Sequence, residues 1–173
     1  KRVIAVGRLD YQKGFDRLID AWGIVQKDGR FADWRLDIFG QGEWREMLQA
    51  RIERLGIENS VRLNSPVKDI DNEYRNSSFL VMSSHYEGFP MVMVEAMSLG
   101  LPVVTFDYKC GPKDIIDHRK NGLLVKEGDI QGLADAMMSI MASPGTLAGM
   151  AAEARKVTEK YSEDKVMGMW VRL

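Results

Sequence analysis

The sequence predicts an α/β fold built on a doubly wound parallel sheet. Short apolar or β-branched runs alternate with helical patterns along the chain, which is the order that right-handed strand–helix–strand crossovers produce. The run "FLVM" at Phe79–Met82 is apolar at every position, as expected for a strand that helices cover on both faces. With 173 residues, of which 45% are hydrophobic and 28% charged, the chain has the size and composition of one globular domain.

Strands are predicted from runs rich in β-branched or other apolar residues, in chain order at Val3–Val6, Leu36–Phe39, Val61–Leu63, Phe79–Met82, Val103–Phe106 and Leu123–Val125. Helical patterns lie between and after them, at Phe15–Gln26, Glu43–Leu55, Asp71–Arg75, Met91–Leu99, Leu133–Met141 and Leu147–Tyr161. The segment "ASPG" at 142–145 predicts a turn between the last two helices. We therefore expect residues 1–173 to form one Rossmann-like domain, with its ligand at the carboxyl ends of the strands.

Charge and cysteine content exclude several classes of protein. Lys and Arg number 24 and Asp and Glu 25, so the net charge of -1 gives no support to bulk electrostatic binding of nucleic acid or an acidic membrane. The single cysteine, Cys110, excludes an internal disulfide and suits a reducing compartment. No signal-peptide pattern is recognised, and the longest apolar run, Phe89–Val94, is too short to span a bilayer.

The loop after the first strand, "GRLDYQKGF" at Gly7–Phe15, carries two cations just before a helix. Glycine, the cations Arg8 and Lys13 and a helix N-terminus together favour a phosphate site. The loop has neither the P-loop spacing nor Gly-x-Gly-x-x-Gly. A solvated loop whose two cations face water is the commoner outcome for such a segment, so both interpretations stay open.

The loop after the second strand, "FGQGEW" at Phe39–Trp44, is a Gly-x-Gly turn before a helix. Gly40 and Gly42 allow the backbone to approach a ligand closely, and Glu43 is predicted to begin the helix. A turn without a ligand is the alternative interpretation.

The loop after the fourth strand, "SSHYEGFP", leads into a helix that is apolar almost all round, so we expect that helix to be buried. Glu95 would then lie within the core layer, where an unpaired carboxylate costs several kcal/mol. We therefore expect Glu95 to have a partner, which is a basic residue, backbone N–H groups or the hydroxyls of a bound ligand. A structural ion pair, for instance with Arg8, is the alternative to a ligand.

Taken together, the motifs resemble the donor-binding half of the family 4 retaining glycosyltransferases, which have the two-lobed GT-B fold. They are Gly7-Arg8-Leu9 with Lys13-Gly14, Phe39-Gly40-x-Gly42, Glu87-Gly88-Phe89-Pro90 followed by Glu95-Ala96-Met97, and Gly100-x-Pro102-Val103-Val104. The segment "NGLLV" at 121–125 and Asp129 stand where that family places them. The resemblance covers essentially the whole chain, and the two glutamates match the family's Glu-x7-Glu motif.

The resemblance implies roles for individual side chains. Arg8 and Lys13 would clamp the diphosphate of a nucleotide-sugar, and their charge together with a helix N-terminus would stabilise the leaving group. Glu95 would accept hydrogen bonds from the ribose hydroxyls, and Glu87 would face the donor sugar. The residues implied in catalysis are therefore Glu87, Arg8 and Lys13.

The resemblance implies donor contacts from the backbone as well. The N–H groups of Phe89, Met91 and Val92 would point at sugar and phosphate, and the segment "LNSPV", which ends at Val67, would lie near the base. The complete set of implied donor-binding residues is Gly7, Arg8, Lys13, Gly40, Gly42, Val67, Glu87, Gly88, Phe89, Met91, Val92 and Glu95.

The activity implied by the resemblance is transfer of a hexose or N-acetylhexosamine from a nucleotide-diphosphate sugar, a UDP-sugar above all, to a glycan, lipid or polysaccharide precursor. Configuration would be retained, with no essential cofactor or metal. The chain opens directly in a strand without an initiator methionine, so we expect an excised, inactive donor domain whose acceptor-binding N-terminal lobe is absent. The location implied is cytoplasmic, with peripheral association at the inner face of the membrane through the missing lobe and no nucleic-acid partner.

Other functions stay open from the residues alone. One is a nucleotide-binding module without transferase activity. Another is a GT-B epimerase or a phosphorylase, although phosphorylases need a lysine that binds pyridoxal phosphate and no lysine here stands in such a context.

Two segments depart from the family pattern or invite another chemistry. In "DYKCGPKDII", Asp114 would take the family's acidic position, and the loop Cys110-Gly111-Pro112 would change the sugar contacts. Asp69-Ile70-Asp71 has the Asp-x-Asp shape that binds metal in another glycosyltransferase fold, but it precedes a short helix, so we expect helix capping and no metal site.

Overall fold

The computed structural model describes residues 1–109 and 111–160 as an α/β domain around a sheet of 6 parallel strands. The strands are β1 (Arg2–Val6), β2 (Arg35–Phe39), β3 (Val61–Asn64), β4 (Phe79–Met82), β5 (Val103–Asp107) and β6 (Gly122–Lys126). All of the predicted strands are confirmed to within one residue at each end.

The helices are α1 (Phe15–Lys27), α2 (Arg45–Leu55), α3 (Ile70–Arg75), α4 (Met91–Ser98), α5 (Pro112–Ile115), α6 (Ile130–Met141), α7 (Pro144–Ala154) and α8 (Val157–Lys160). The prediction of one helix at 147–161 is wrong: α7 begins at Pro144, a residue suited to the first helical position, and ends before α8. Tyr161 and Cys110 lie outside the described residues. The short helix α5 is not among the predictions, since its four residues carry no periodic pattern.

The strand order β3-β2-β1-β4-β5-β6 places β1 between β2 and β4. Ala5 of β1 pairs with Ile38 of β2, and Val3 pairs with Phe79 of β4, all in parallel. The chain therefore winds outward in both directions from β1. In open sheets of this kind the ligand crevice lies outside the carboxyl ends of the strands at that switch point.

Successive residues of β1 pack into two different layers of the core. On β1, Val3 and Ala5 pack with the layer that includes α1, α2 and α6, whereas Ile4 packs with the layer that includes α3 and α4. Both layers are apolar, which is why β1, β4 and β5 show near-continuous apolar runs. Within the described residues, no helix has the length and hydropathy needed to cross a bilayer.

Candidate functional site

The loops after β1 and β2 lie against each other at the carboxyl edge of the sheet. The Gly7 N–H donates to the Phe39 carbonyl at 3.0 Å, and the Leu9 N–H donates to the Gln41 carbonyl at 2.9 Å. A Cβ on Gly40 would lie 1.9 Å from the Gly7 carbonyl oxygen, and one on Gly42 would lie 2.3 Å from that of Leu9. Both glycines are therefore required for the two loops to touch. Their predicted approach to a ligand stays a prediction.

The contact between these loops also sets the start of α2. The Trp44 N–H donates to the Leu9 carbonyl at 3.0 Å, so the residues before α2 are tied to the first loop. The helix accordingly begins at Arg45, and the predicted start at Glu43 is wrong.

Lys13 and Glu87 form an ion pair across the carboxyl edge, with Lys13 Nζ 2.6 Å from Glu87 Oε1. The Ser84 hydroxyl donates to the same oxygen at 2.7 Å, and the Gln12 amide donates to Glu87 Oε2 at 3.2 Å. The two side chains are only 15% and 7% exposed, respectively. The buried carboxylate of the Glu-x7-Glu motif is therefore Glu87, and its cation comes from the loop after β1.

Gly7 makes room for the stem of Lys13. A Cβ on Gly7 would lie 2.9 Å from Lys13 Cδ and Cε, so the lysine side chain passes directly over this position. The loop is held from below as well, because the Asp10 carboxylate accepts from the Lys13 N–H at 3.3 Å. Gly14 then turns the chain into α1 with φ of 59°, a left-handed conformation that favours glycine.

Arg8, the other predicted cation, lies in a different environment. Its side chain is 69% exposed, and its guanidinium is 3.1 Å from Asp10 Oδ2 and donates to Gln12 Oε1 at 2.9 Å. The expectation of a solvated loop is thus correct for Arg8 and wrong for Lys13. The two cations differ because Lys13 contacts a carboxylate that is only 7% exposed, whereas the Arg8 side chain extends toward solvent.

The prediction that Glu95 is buried in the core is wrong, since the residue is exposed. On α4 the residues Met93, Ala96 and Met97 are buried, whereas Met91, four positions before Glu95, is 55% exposed. Residues four apart share one face of a helix, so Met91 and Glu95 mark an open face. The apolar composition of α4 concealed this face.

The alternative of a structural ion pair between Glu95 and Arg8 is also wrong. Over the described ranges, the ion pairs of the structure include none with Glu95, and Arg8 pairs with Asp10 instead. Glu95 faces a cleft of about 410 Å³ at the carboxyl edge of the sheet. This carboxyl-edge cleft is lined by Val6, Gly7, Arg8, Phe39, Gly40, Gln41, Pro66, Val67, Ile70, Tyr74 and Glu95.

A larger cleft of about 510 Å³ lies at the opposite edge, where Gly23 and Ile24 of α1 meet the segment before β3. Its Asp20 is already paired with Arg51, with the two groups 2.5 Å apart. The smaller cleft is the better candidate, because it lies at the switch point of the sheet and brings the Arg8 guanidinium to one space with the Glu95 carboxylate, which has no ion pair among the described residues.

The start of α4 bears on the predicted backbone contacts. The Met91 N–H donates a hydrogen bond to the Phe89 carbonyl at 2.9 Å, so in this conformation it is not available to a nucleotide-sugar. Phe89 is 48% exposed, and a Cβ on Gly88 would meet no atom within 4 Å, so the turn before α4 borders open space. The predicted contacts of Gly88, Phe89 and Val92 stay predictions.

Arg17 links the loop after β4 to the loop after β6, and it was not among the residues predicted from sequence. Its guanidinium donates to the Ser83 carbonyl at 2.5 Å and to Glu127 at 2.7 Å, and its Cζ lies 4.7 Å from the centre of the Phe106 ring. The Ser83 hydroxyl in turn donates to the Lys13 carbonyl at 3.0 Å. The only local signal would have been a cation in the first turn of a helix, where anions are usual.

His85 lies among aromatic residues beside the first loop. The Tyr11 ring stacks on it with 4.2 Å between ring centres, and Tyr11 also meets Trp44 edge to face at 6.0 Å. Burial lowers the pKa of His85 below its usual value, and the charge of Arg17 lowers it further. His85 is therefore not an ordinary surface histidine.

The capping interpretation of Asp69-Ile70-Asp71 is confirmed. Asp69 is the N-cap of α3, and its carboxylate accepts from the Asn72 N–H at 3.1 Å. Asp129 caps α6 in the same way, accepting from the Gly132 N–H at 2.8 Å. In residues 1–109 and 111–160 no group of three or more His, Cys, Asp or Glu side chains could hold a metal ion.

Comparison with known proteins agrees with this architecture. The family model described as "Glycosyl transferases group 1" matches residues 1–157. The amylovoran biosynthesis glycosyltransferase AmsD of Erwinia amylovora is 37% identical over 169 residues, which are 98% of this chain and 46% of that protein. An uncharacterized glycosyltransferase of Haemophilus influenzae is 33% identical over 170 residues, 98% of this chain and 48% of that protein. The chain thus spans about half the length of these two curated relatives.

Solved structures of similar proteins cover nearly the whole chain. A point mutant of TarM of S. aureus, crystallised with fondaparinux, α-GlcNAc-glycerol and UDP, has a TM-score of 0.94 and 29% identity over 99% of this chain and 35% of its own. HepE of Anabaena, crystallised with UDP and glucose, has a TM-score of 0.86 and 25% identity over 99% of this chain and 48% of its own. The chain therefore belongs to the group 1 glycosyltransferases, and its fold is that of the Rossmann-like C-terminal domain of a GT-B enzyme.

Proposed function

We propose that this chain is the donor-binding half of a retaining glycosyltransferase, which transfers a hexose or N-acetylhexosamine from a UDP-sugar to a glycan, lipid or polysaccharide precursor. TarM and HepE, both crystallised with UDP, support the choice of nucleotide. In this proposal no metal is essential, because protein cations take the place that a metal would occupy beside the diphosphate.

One observation carries the proposal. Arg8 and Glu95 line the same cleft, and the Lys13–Glu87 pair stands at the same edge of the sheet. A nucleotide-sugar has two negative phosphates between two hydroxyl-rich rings. Cations suit the phosphates, and carboxylates suit ribose and sugar hydroxyls as hydrogen-bond acceptors. The ligand would therefore extend from Glu95, at the ribose, past Arg8 and Lys13 to Glu87 at the sugar.

Lys13 is positioned in advance for the diphosphate. An ammonium group has three N–H donors, and Glu87 Oε1 engages one of them in the observed pair. The other donors would bind the leaving diphosphate, whose negative charge grows as the sugar departs. Because the ion pair already fixes this cation, little reorganisation is needed as the charge develops. Such preorganisation makes electrostatic stabilisation effective.

Arg8 would join Lys13 only when the ligand is present. Its guanidinium is exposed and already contacts Asp10 and Gln12 at the surface. Because exposed ion pairs contribute little, a diphosphate would displace these partners at small cost. Glu87, held by Lys13, Ser84 and Gln12, would present its remaining lone pairs to the donor sugar.

The acceptor is expected to bind outside this chain. The relatives are about twice as long, so in the proposal a second lobe closes over the donor and excludes water. The 173-residue chain should then bind nucleotide but transfer no sugar. Any association with the cytoplasmic face of a membrane would likewise belong to that lobe.

Calorimetric titration of the chain with UDP, uridine and pyrophosphate tests the proposal. Arg8→Ala and Lys13→Ala should each weaken UDP binding by about 1.5–3 kcal/mol and leave uridine binding nearly unchanged, since each removes a charge-assisted hydrogen bond to phosphate. Arg54→Ala, which removes an exposed cation of α2, is the matched control and should bind UDP like the wild type. Equal losses for UDP and uridine would mean that both cations are structural and would contradict the donor site.

A further inference from the structure

Tyr74 carries a hydroxyl that the proposed function does not use. The residue lies in α3, is 1% exposed and packs among the buried apolar side chains of the layer that contains α4. Its hydroxyl oxygen is buried and has no hydrogen-bond partner in the part of the chain that the structure describes. A buried hydroxyl without a partner costs free energy relative to phenylalanine, so its presence calls for a function.

The surroundings of Tyr74 indicate which group could accept a hydrogen bond from its hydroxyl. Tyr74 lines the carboxyl-edge cleft, and Glu95 is the one carboxylate among the described residues that line it. The charge of Glu95 is close enough to raise the pKa of the Tyr74 hydroxyl, second only to burial as a cause. Glu95 itself is exposed and free of ion pairs within the described ranges, so its side chain can turn without breaking a salt bridge.

We propose that Tyr74 is a positioning residue that donates its hydroxyl hydrogen to Glu95 when a nucleotide fills the cleft. One carboxylate oxygen would accept from Tyr74, and the carboxylate would thereby be held with its other lone pairs toward the ribose hydroxyls. A hydrogen bond to an ionised acceptor is among the stronger kinds. The inference rests on the proposed function, because it requires a ribose beside Glu95.

This arrangement explains why the hydroxyl is kept without a partner in the free chain. The bond to Glu95 forms only once ribose hydroxyls replace water around the carboxylate. The unpaired Tyr74 hydroxyl therefore destabilises the free protein, and the hydrogen bond in the complex removes this destabilisation. We therefore expect the Tyr74→Phe chain to be at least as stable as the wild type and yet to bind nucleotide more weakly.

The test is a double-mutant cycle with Tyr74→Phe and Glu95→Gln, measured by calorimetric titration of the whole chain with UDP and with 2′,3′-dideoxy-UDP. Tyr74→Phe should weaken UDP binding roughly three- to tenfold, the usual range for one positioned hydrogen bond, and leave dideoxy-UDP binding unchanged. The double variant should bind UDP no more weakly than Glu95→Gln alone. Thermal unfolding of the free Tyr74→Phe chain should occur at or above the wild-type temperature.

Tyr108→Phe is the matched control, since Tyr108 has the other buried tyrosine hydroxyl without a partner in the described residues and does not line this cleft. It should leave the ratio of UDP to dideoxy-UDP affinity at the wild-type value. The inference is overturned if Tyr74→Phe binds UDP like the wild type, if it weakens both ligands equally, or if the losses of the two variants add. A wild-type chain that binds neither ligand would overturn the donor site and this inference with it.

Discussion

Lys13 Nζ lies 2.6 Å from Glu87 Oε1, and this contact joins the loop after β1 to the loop after β4. The two strands are neighbours in the sheet, so the pair spans the switch point where the chain reverses its winding. The Glu87 carboxylate is 7% exposed, and Gly7 is the residue that lets the lysine stem reach it. The Lys13–Glu87 contact is therefore already formed in the chain without a ligand.

The Lys13–Glu87 pair should contribute to stability. Lys13→Met leaves a nearly buried carboxylate without its cation, and the free energy of unfolding should fall by about 1–3 kcal/mol in a urea titration. Lys156→Met removes one partner of the exposed Lys156–Glu153 pair and should change stability by less than about 0.5 kcal/mol. In the double variant Lys13→Met/Glu87→Gln part of the loss should return. Equal losses of unfolding free energy for Lys13→Met and Lys156→Met would show that the buried pair does not stabilise the fold.

Gly7→Ala should disturb the site more than the fold. The three atoms nearest the added Cβ all belong to the flexible stem of Lys13, so the side chain shifts and stability should change by less than about 1 kcal/mol. The displaced ammonium should weaken UDP binding by about 1 kcal/mol, roughly one hydrogen bond. Gly149→Ala in α7 adds a methyl into open space and should stabilise the helix without altering UDP binding. A Gly7→Ala chain that binds UDP normally would contradict the fit between Gly7 and Lys13.

Glu95→Gln should separate a ligand contact from a structural contact. Because Glu95 is exposed and makes no ion pair in the described part of the chain, its replacement should change the unfolding free energy by less than about 0.5 kcal/mol. UDP binding should weaken by about 1.5–3 kcal/mol, since a charged acceptor of ribose hydroxyls becomes neutral. A large loss of stability in the free chain with unchanged binding would assign Glu95 to the fold.

His85 should make the fold sensitive to mild acid. Its pKa is lowered in the folded chain, so between the unfolded value and the lower folded value the unfolded state binds more protons. This contribution to stability is present above the unfolded pKa, near 6.5, and is lost as the pH falls through the window toward the folded pKa. Unfolding in urea at several pH values should show the stability of the wild type falling relative to His85→Gln below about pH 6.5. A constant difference between the two chains would contradict the shift.

The central strands β1, β4 and β5 were predictable from local sequence because each is buried along almost its whole length. Val3–Val6 and Phe79–Met82 contain too little polar character for any other buried element of that length, and both form strands. The loops of the site were located for the same reason, since the carboxyl ends of such strands meet at one edge. Glycine, cation and carboxylate motifs then indicated which loops carry chemistry.

The partners of the charged residues could not be derived from local sequence. Glu87 pairs with Lys13 because β4 lies beside β1, and sheet order depends on contacts far apart in the chain. Glu95 stands in an apolar helix, yet it occupies the face that borders a cleft. The composition of α4 does not reveal which of its faces borders the cleft, because residues of β1, β2 and α3 form the other side of that cleft. Arg17 was missed because its partners belong to two other loops.

The central claim, that a nucleotide-sugar binds across both glutamates at the carboxyl edge, is tested most directly by amide chemical-shift mapping with UDP-glucose. The predicted result is a set of shift changes at Gly7, Gly40 and Val67 and along the start of α4, with the segment from Glu87 to Gly88 changing more with UDP-glucose than with UDP. Shift changes confined to the larger cleft at the opposite edge, around Gly23 and Ile57, or no changes at millimolar ligand, would contradict it.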